Sequence, residues 1–226
     1  MEYLQSADFW IGLVKIIWIN IILSGDNAVV IALAARTLPP HQQKQAILYG
    51  SGAAVLLRIV LTVVAAKLLA LSYLQIIGGV LLLWIGVQLL GDEDDDDGGN
   101  EQGHGSLSAA VRTILIADLV MSLDNVIAVA AAAHGSMLLL ILGLAISIPL
   151  VIFGSTLMIK LMERFPIIVV LGAALIGWVG GETIVGDNVL KDVVQQYPWL
   201  HYVAAAAGAA LVVVIGKGLQ ARKRAA

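Results

Sequence analysis

The chain has 226 residues, of which 60% are hydrophobic and 13% are charged, and its mean hydropathy is +0.94. A soluble domain carries about 25% charged residues, so this composition indicates a membrane protein. The net charge of −3 argues against a nucleic-acid partner, and the lack of cysteine excludes disulfides, zinc–thiolate sites and thiol catalysis.

Seven apolar segments are long enough to cross a bilayer, which requires about 20 helical residues. Pro, Gly and charged residues separate them, and such residues end helices. The predicted spans are residues 9–35, 45–66, 74–90, 107–133, 137–159, 166–185 and 201–216. We expect one all-α transmembrane domain over residues 1–226. We expect the first span to stay in the mature protein and not to be a cleaved signal peptide, because its leading residues are acidic and its apolar run is too long.

The first span carries a polar motif in the middle of its apolar residues: Asn20, Ser24, Asp26 and Asn27. Asn20, Ser24 and Asn27 are spaced i, i+4, i+7, which places them on one face of a helix. A carboxylate at this depth costs about 3 kcal/mol or more to insert, so Asp26 indicates function more than stability. A local opening at Ser24-Gly25 would bring Asp26 onto the same centre; an uninterrupted helix is the alternative.

Arg58 lies near the centre of the second span. It is the obvious partner for an ion pair with Asp26 or with Asp124 of the fourth span. A purely structural pair is the weaker interpretation, because burying three charges is costly. The alternative is that Arg58 holds an empty site together until a metal ion displaces it.

A linker over residues 91–106 follows the third span, and residues 92–97 are all Asp or Glu. Such a run is most simply a solvated, disordered connector on the cytoplasmic side. A weak collector of cations is the sharper alternative.

The fourth span repeats the polar motif of the first after 98 positions. In this second copy the matching residues are Asp118, Ser122, Asp124 and Asn125. Further matches are Ile16 with Ile114 at the same shift, and Gly50 with Gly143 and Gly79 with Gly172 at a shift of 93. We therefore predict two three-helix repeats, residues 1–90 and 107–185. Because each has an odd number of spans, the second is inverted relative to the first, and the two motifs face each other.

Residues 186–226 form the seventh helix and a basic tail. If the amino terminus is outside, most Lys and Arg residues lie on the cytoplasmic side, as the positive-inside rule requires. We therefore expect the carboxyl terminus to be cytoplasmic. Small-residue runs such as residues 204–207 serve either internal packing or a homodimer interface.

The two motifs supply carboxylates, amides and hydroxyls, an all-oxygen set that hard cations such as Mg²⁺, Ca²⁺ and Mn²⁺ prefer. Two ionised aspartates would also balance a divalent ion at membrane depth. The expected metal ligands are Asp26, Asn27, Asp124, Asn125, Asn20, Asp118, Ser24 and Ser122, with Asp118 in a secondary role. Taken singly, the Asn and Ser residues could instead only hydrogen-bond between helices.

The paired motifs Ser24-Gly25-Asp26-Asn27 and Ser122-Leu123-Asp124-Asn125, in seven spans with an acidic linker, resemble the TerC family of integral membrane proteins. The resemblance covers nearly the whole chain. It implies membership of the LysE-type transporter superfamily, a place in the bacterial inner (plasma) membrane, and export of a divalent cation, first of all Mn²⁺. Export by alternating access would return the aspartates protonated. Calcium or magnesium transport is the closest alternative.

No enzyme motif is present: the chain lacks G-x-S-x-G, H-E-x-x-H, a phosphate-binding loop and a dinucleotide fingerprint. An intramembrane aspartyl protease also uses two aspartates, but its Y-D and G-x-G-D contexts are missing. A membrane scaffold in metal or tellurium stress response is the third class. We expect no enzyme and no cofactor; the partners are the transported metal and the lipid bilayer.

Overall fold

The computed structural model describes residues 7–23, 25–68, 71–91, 106–132 and 136–225, and these residues are helical apart from short turns. The α-helices are α1 Ala7–Leu23, α2 Gly25–Ala35, α3 Pro40–Leu68, α4 Leu74–Gly91, α5 Leu107–Ala132, α6 Met137–Arg164, α7 Ile167–Gly186, α8 Lys191–Gln196 and α9 Trp199–Ala225. A 3₁₀ turn, Asn188–Leu190, lies between α7 and α8. The all-α prediction is confirmed for this part of the chain.

All seven predicted spans fall on helices. Five helical segments in the described part are long and apolar enough to cross a membrane: Pro40–Val64, Leu74–Gly91, Leu138–Arg164, Ile167–Gly186 and Trp199–Lys223. The first predicted span corresponds to the shorter helices α1 and α2, and the fourth to α5. The predicted opening at Ser24-Gly25 and the acidic run 92–97 both involve residues outside the described ranges. The count of seven spans stays a prediction.

The helix ends follow the breakers read from the sequence. Pro40 is the first residue of α3, where a missing N–H costs nothing, and Pro166 directly precedes α7. Ser136 caps α6 by accepting the N–H of Leu139 on its hydroxyl at 3.3 Å. These signals are local, which is why the predicted boundaries agree with the structure to within a few residues at most ends.

Helices α4, α7 and α9 form a tightly packed group whose contacts are made by glycines. A Cβ added to Gly79 of α4 would lie 2.5 Å from the carbonyl oxygen of Gly180 in α7. A Cβ on Gly177 of α7 would lie 2.5 Å from the carbonyl oxygen of Gly208 in α9. The backbones of neighbouring helices are therefore in direct contact, as in small-residue interfaces of membrane helices. We call these three helices the scaffold.

The remaining long helices form a second group, the core, with α1 and α2 packed on α6 and α3 packed on α5. Gly50 of α3 meets Ile114 of α5, where an added Cβ would lie 2.8 Å from Cδ1 of the isoleucine. Gly143 of α6 meets Ile16 of α1 in the same way. These four residues are the glycine and isoleucine pairs matched by the sequence repeat.

The outer surface of the bundle is apolar. Large exposed side chains include Trp18, Trp84, Phe153, Tyr202 and Val214, which lie on helices of both groups. A soluble monomer seldom exposes so continuous an apolar surface, whereas a lipid-facing surface requires it. The described part of the chain is therefore built as an integral membrane protein.

Candidate functional site

A buried ion pair joins α3 to α5 in the core. Arg58 Nη2 lies 2.5 Å from Asp118 Oδ1, and the two side chains are 6% and 7% exposed. Ser122, one helical turn after Asp118, donates its hydroxyl to Asp118 Oδ2 at 3.1 Å. Both carboxylate oxygens of Asp118 therefore accept hydrogen bonds, which is the condition for keeping a charge at this depth.

The first-copy motif approaches this pair from α2. Asp26 lies in the first turn of α2, and its Oδ1 accepts the backbone N–H of Asn27 at 2.8 Å. The Asp26 carboxylate also interacts electrostatically with Arg58, which attracts it, and with Asp118, which repels it. Asn27 is only 3% exposed. The guanidinium of Arg58 therefore bonds to the carboxylate of Asp118 and attracts that of Asp26 through space.

A small cavity of about 20 Å³ lies beside the ion pair, between α2, α3, α5 and α6. Its polar lining residues are Asn27, Ser51, Arg58, Asp118 and Ser147. The buried Ser51 hydroxyl and the Arg58 Nε have no hydrogen-bond partner among the described residues. A cavity of this size holds about one water molecule and is too small for a metal ion with its hydration shell.

The sequence-predicted ligands divide into three sets. Asn27 and Asp118 line the same cavity, and Ser122 reaches it through Asp118. Asp26 lies within electrostatic range of Asp118. Asn125 of α5 is partly buried. The side chains of Asn20 and Asp124 and the whole of Ser24 lie outside the described residues. Within the described part, no three His, Cys, Asp or Glu side chains are grouped closely enough to hold a metal ion.

The ion pair differs in one respect from the sequence expectation. The direct partner of Arg58 in the described structure is Asp118, rather than Asp26. The reason is the packing of α3 against α5, which carries Asp118 into the reach of Arg58. Asp118 is therefore the ion-pair partner of Arg58, and its secondary role in metal binding stays a prediction.

Ser51 and Ser147 also line the cavity and were not singled out in the sequence. Ser51 precedes Arg58 by seven residues, a helical i, i+7 spacing that places both on one face of α3. At the sequence shift of 93, Ser147 is equivalent to Ala54, which also lines the cavity. The helical spacing from Arg58 is thus the signal that could have found Ser51, and the repeat relates only Ser147 to the cavity.

A second buried carboxylate, Asp187, lies just beyond the end of α7 and is 1% exposed. It accepts four backbone N–H groups: from Tyr73 at 3.1 Å, Gln75 at 3.0 Å, Ile76 at 3.3 Å and Val189 at 3.0 Å. Burial acts to raise the pKa of Asp187, but these four donors outweigh it and hold the pKa below its ordinary value. Asp187 thus caps α4 and ties it to α7.

From the sequence alone, the position of Asp187 at the end of the sixth predicted span allows two interpretations, an exit path for the cation or solvation at a helix end. The four backbone bonds show a third role, a structural cap. Glu182, one turn earlier, pairs instead with His201 of α9 at 3.4 Å, and both side chains are partly exposed. These contacts link all three scaffold helices at one end of the bundle.

The fold and the buried charges together define a helical integral membrane protein with a polar centre. Comparison with known proteins places it more closely: residues 5–224 match the family described as "Integral membrane protein TerC family", and the chain belongs to that family. The resemblance drawn from the paired motifs is therefore confirmed.

Several curated relatives are similar over most of the chain. The "Uncharacterized membrane protein YjbE" of Bacillus subtilis is 45% identical over 193 residues, which are 85% of this chain and 88% of that protein. The "UPF0053 inner membrane protein YoaE" of Escherichia coli is 28% identical over 199 residues, 80% of this chain but 38% of the relative. The "Uncharacterized membrane protein YkoY" of B. subtilis is 27% identical over 195 residues, which are 76% of this chain and 58% of the relative. No solved structure matches the chain significantly.

Proposed function

We propose that this protein is a secondary transporter that exports a divalent metal cation, Mn²⁺ in the first place, across the bacterial inner membrane. The observation that carries the proposal is the buried ion pair of Arg58 and Asp118, which lies beside a small cavity and within electrostatic range of Asp26. Buried ionisable groups in membrane helices mark ion pathways more often than structural contacts. The name of one relative, an inner membrane protein of E. coli, supports the location.

The ligand set we propose is the one the sequence predicts, centred on Asp26 and Asn27 of the first motif and Asp124 and Asn125 of the second. Asp118 joins it from the second copy, with Asn20, Ser24 and Ser122 around it. All of these donors are oxygen atoms, and this favours Mn²⁺, Ca²⁺ or Mg²⁺ over zinc and copper. Mn²⁺ ranks first because of the family resemblance, whereas the donor set alone does not separate the three cations.

The proposed mechanism is alternating access between two inverted repeats. Two contacts support the repeat: Gly50 on Ile114 and Gly143 on Ile16 are equivalent under the sequence shifts of 98 and 93. The paired packing of α1 and α2 on α6, and of α3 on α5, has the same symmetry. In this mechanism the core helices rock against the scaffold and expose the polar centre to each side in turn.

The test is metal transport by the purified protein in vesicles. We expect Mn²⁺ flux in the wild type and at least about a hundredfold loss in Asp26→Asn and in Asp124→Asn, because each substitution removes a proposed ligand charge. Asp192→Asn, at an exposed position on α8, is the matched control and should transport normally.

Competition among Mn²⁺, Ca²⁺ and Mg²⁺ in the same vesicles would identify the preferred cation, and collapse of the proton gradient would test the proton coupling. Absence of metal flux in the wild type would reject the transporter and favour a membrane scaffold, for which neither carboxylate is needed. Flux that is equal in the wild type and in both aspartate variants would instead reject Asp26 and Asp124 as ligands.

A further inference from the structure

Arg58 supplies a positive charge to a buried centre that contains one bonded carboxylate, Asp118, and a second carboxylate within electrostatic range, Asp26. Its Nη2 contacts Asp118 Oδ1 at 2.5 Å, and its charge attracts the Asp26 carboxylate. Asp26 and Asp118 repel each other, so the guanidinium is the group that makes their proximity tolerable in a medium of low dielectric constant. A dication between the same two carboxylates would supply this compensation with a larger charge.

The surroundings of Arg58 are those of a binding site more than of a permanent structural bridge. A permanent buried pair is normally saturated with hydrogen bonds, because each unsatisfied buried polar atom costs stability. Arg58 Nε instead has no partner among the described residues, and neither has the hydroxyl of Ser51, which lines the adjoining cavity. The site therefore keeps unused polar atoms and a space of about 20 Å³ next to the guanidinium.

We propose that Arg58 is a built-in competitor of the transported cation. In the empty protein its guanidinium occupies the cation position at Asp118 and Asp26, and the incoming dication must displace it. Displacement of the long side chain frees Asp118 Oδ1 and adds the volume of the guanidinium to the cavity. This inference rests on the proposed function and deepens it by assigning the regulation of the same site.

The competition has a consequence for the transport cycle. The guanidinium of Arg58 lies beside Asp118, so the empty site keeps a compensating charge when no metal is bound. The empty protein can then return through the membrane without a bare pair of carboxylates at its centre. The metal has to break the ion pair of Arg58 with Asp118, so its affinity for the site is lower than it would be without Arg58. A lower affinity favours release of the metal on the far side of the membrane.

The decisive variant is Arg58→Met, which keeps the unbranched apolar stem of the side chain and removes the guanidinium with its charge. We titrate the purified full-length protein with Mn²⁺ alone and measure binding and thermal unfolding. We expect Mn²⁺ to bind at least about tenfold more tightly than to the wild type, since the competitor is gone. Without metal the variant should unfold at a lower temperature, and saturating Mn²⁺ should raise that temperature more than in the wild type. Arg112→Met, an exposed arginine on α5, is the matched control.

Arg58→Lys provides a second measurement if the methionine variant does not fold. Lysine keeps the charge but loses the planar fork of the guanidinium, so Mn²⁺ should bind more tightly than to the wild type but less tightly than to Arg58→Met. Mn²⁺ binding that is unchanged or weaker in whichever of these variants folds overturns the inference. If the wild type and Arg112→Met themselves bind no Mn²⁺, Ca²⁺ or Mg²⁺, the proposed function fails instead.

Discussion

Asp187 illustrates how one residue can organise the end of a membrane protein. The first N–H groups of a helix have no partner within it, and in a bilayer protein they need one. Asp187 meets this need for α4 from another helix, and Tyr73, just before α4, adopts a φ of 69° while donating its N–H to this carboxylate. The strain of that left-handed conformation is offset by the cap.

Asp187→Asn is the corresponding prediction. The amide keeps one acceptor oxygen and loses the charge, so we expect the free energy of unfolding to fall by about 1–3 kcal/mol at neutral pH. Thermal unfolding in detergent measures this difference. Glu182→Gln, at a partly exposed position of α7, is the control and should change stability much less.

The pH dependence of the same variant follows from the lowered pKa of Asp187. A carboxyl whose pKa is lower in the folded state stabilises the fold above its unfolded pKa of about 3.9, and this stabilisation is lost as the pH falls through the folded value. The difference between wild type and Asp187→Asn should therefore be constant from neutral pH to about pH 5 and shrink below pH 4. A difference that grows on acidification would contradict the assigned role.

At the scale of helices, the scaffold depends on backbone contact between glycines. Gly208 of α9 lies against the carbonyl of Gly177 in α7, and an added Cβ would collide with it. Gly208→Ala should lower the unfolding temperature, because the backbones of α7 and α9 would have to move apart to make room for the added methyl group. Overpacking of this kind typically lowers the free energy of unfolding by about 1–3 kcal/mol.

Gly218→Ala is the matched control on the same helix. A Cβ at Gly218 would meet nothing within 4 Å, and alanine favours helix by up to about 1 kcal/mol, so this variant should be as stable as the wild type or more stable. Equal destabilisation by both substitutions would mean that the contact of α9 with α7 is not the cause. Thermal unfolding of the two variants side by side decides the matter.

At the scale of the whole molecule, the apolar exterior and the polar centre require a defined orientation in the bilayer. The distribution of Lys and Arg predicts an outer amino terminus and a cytoplasmic carboxyl terminus. Because the chain has no cysteine, a single introduced cysteine reports its own location without background. A cysteine added after Ala226 should react with a membrane-impermeant maleimide only when the cytoplasmic face is opened. Labelling of intact cells would reverse the predicted topology.

The sequence by itself determined where the helices lie and which charged residues fall inside apolar segments. Both depend on local properties: the length of apolar runs, the Pro and Gly residues between them, and the cost of a carboxylate at mid-membrane. The paired motifs also identified the family, because two copies of a short polar motif inside apolar segments are unusual. The same repeat paired Gly50 with Gly143 and Ile16 with Ile114, which proved to be contact residues.

Only the tertiary structure decided which of these residues meet. Arg58 bonds to Asp118, Ser51 and Ser147 share the cavity, and Asp187 caps a helix that is distant in sequence. A soluble helix shows its inward face as an apolar stripe, but these helices are apolar on all sides, so the sequence does not reveal which face is turned inward. Close contacts of small residues select the faces that pack, and those contacts exist only once the bundle has assembled.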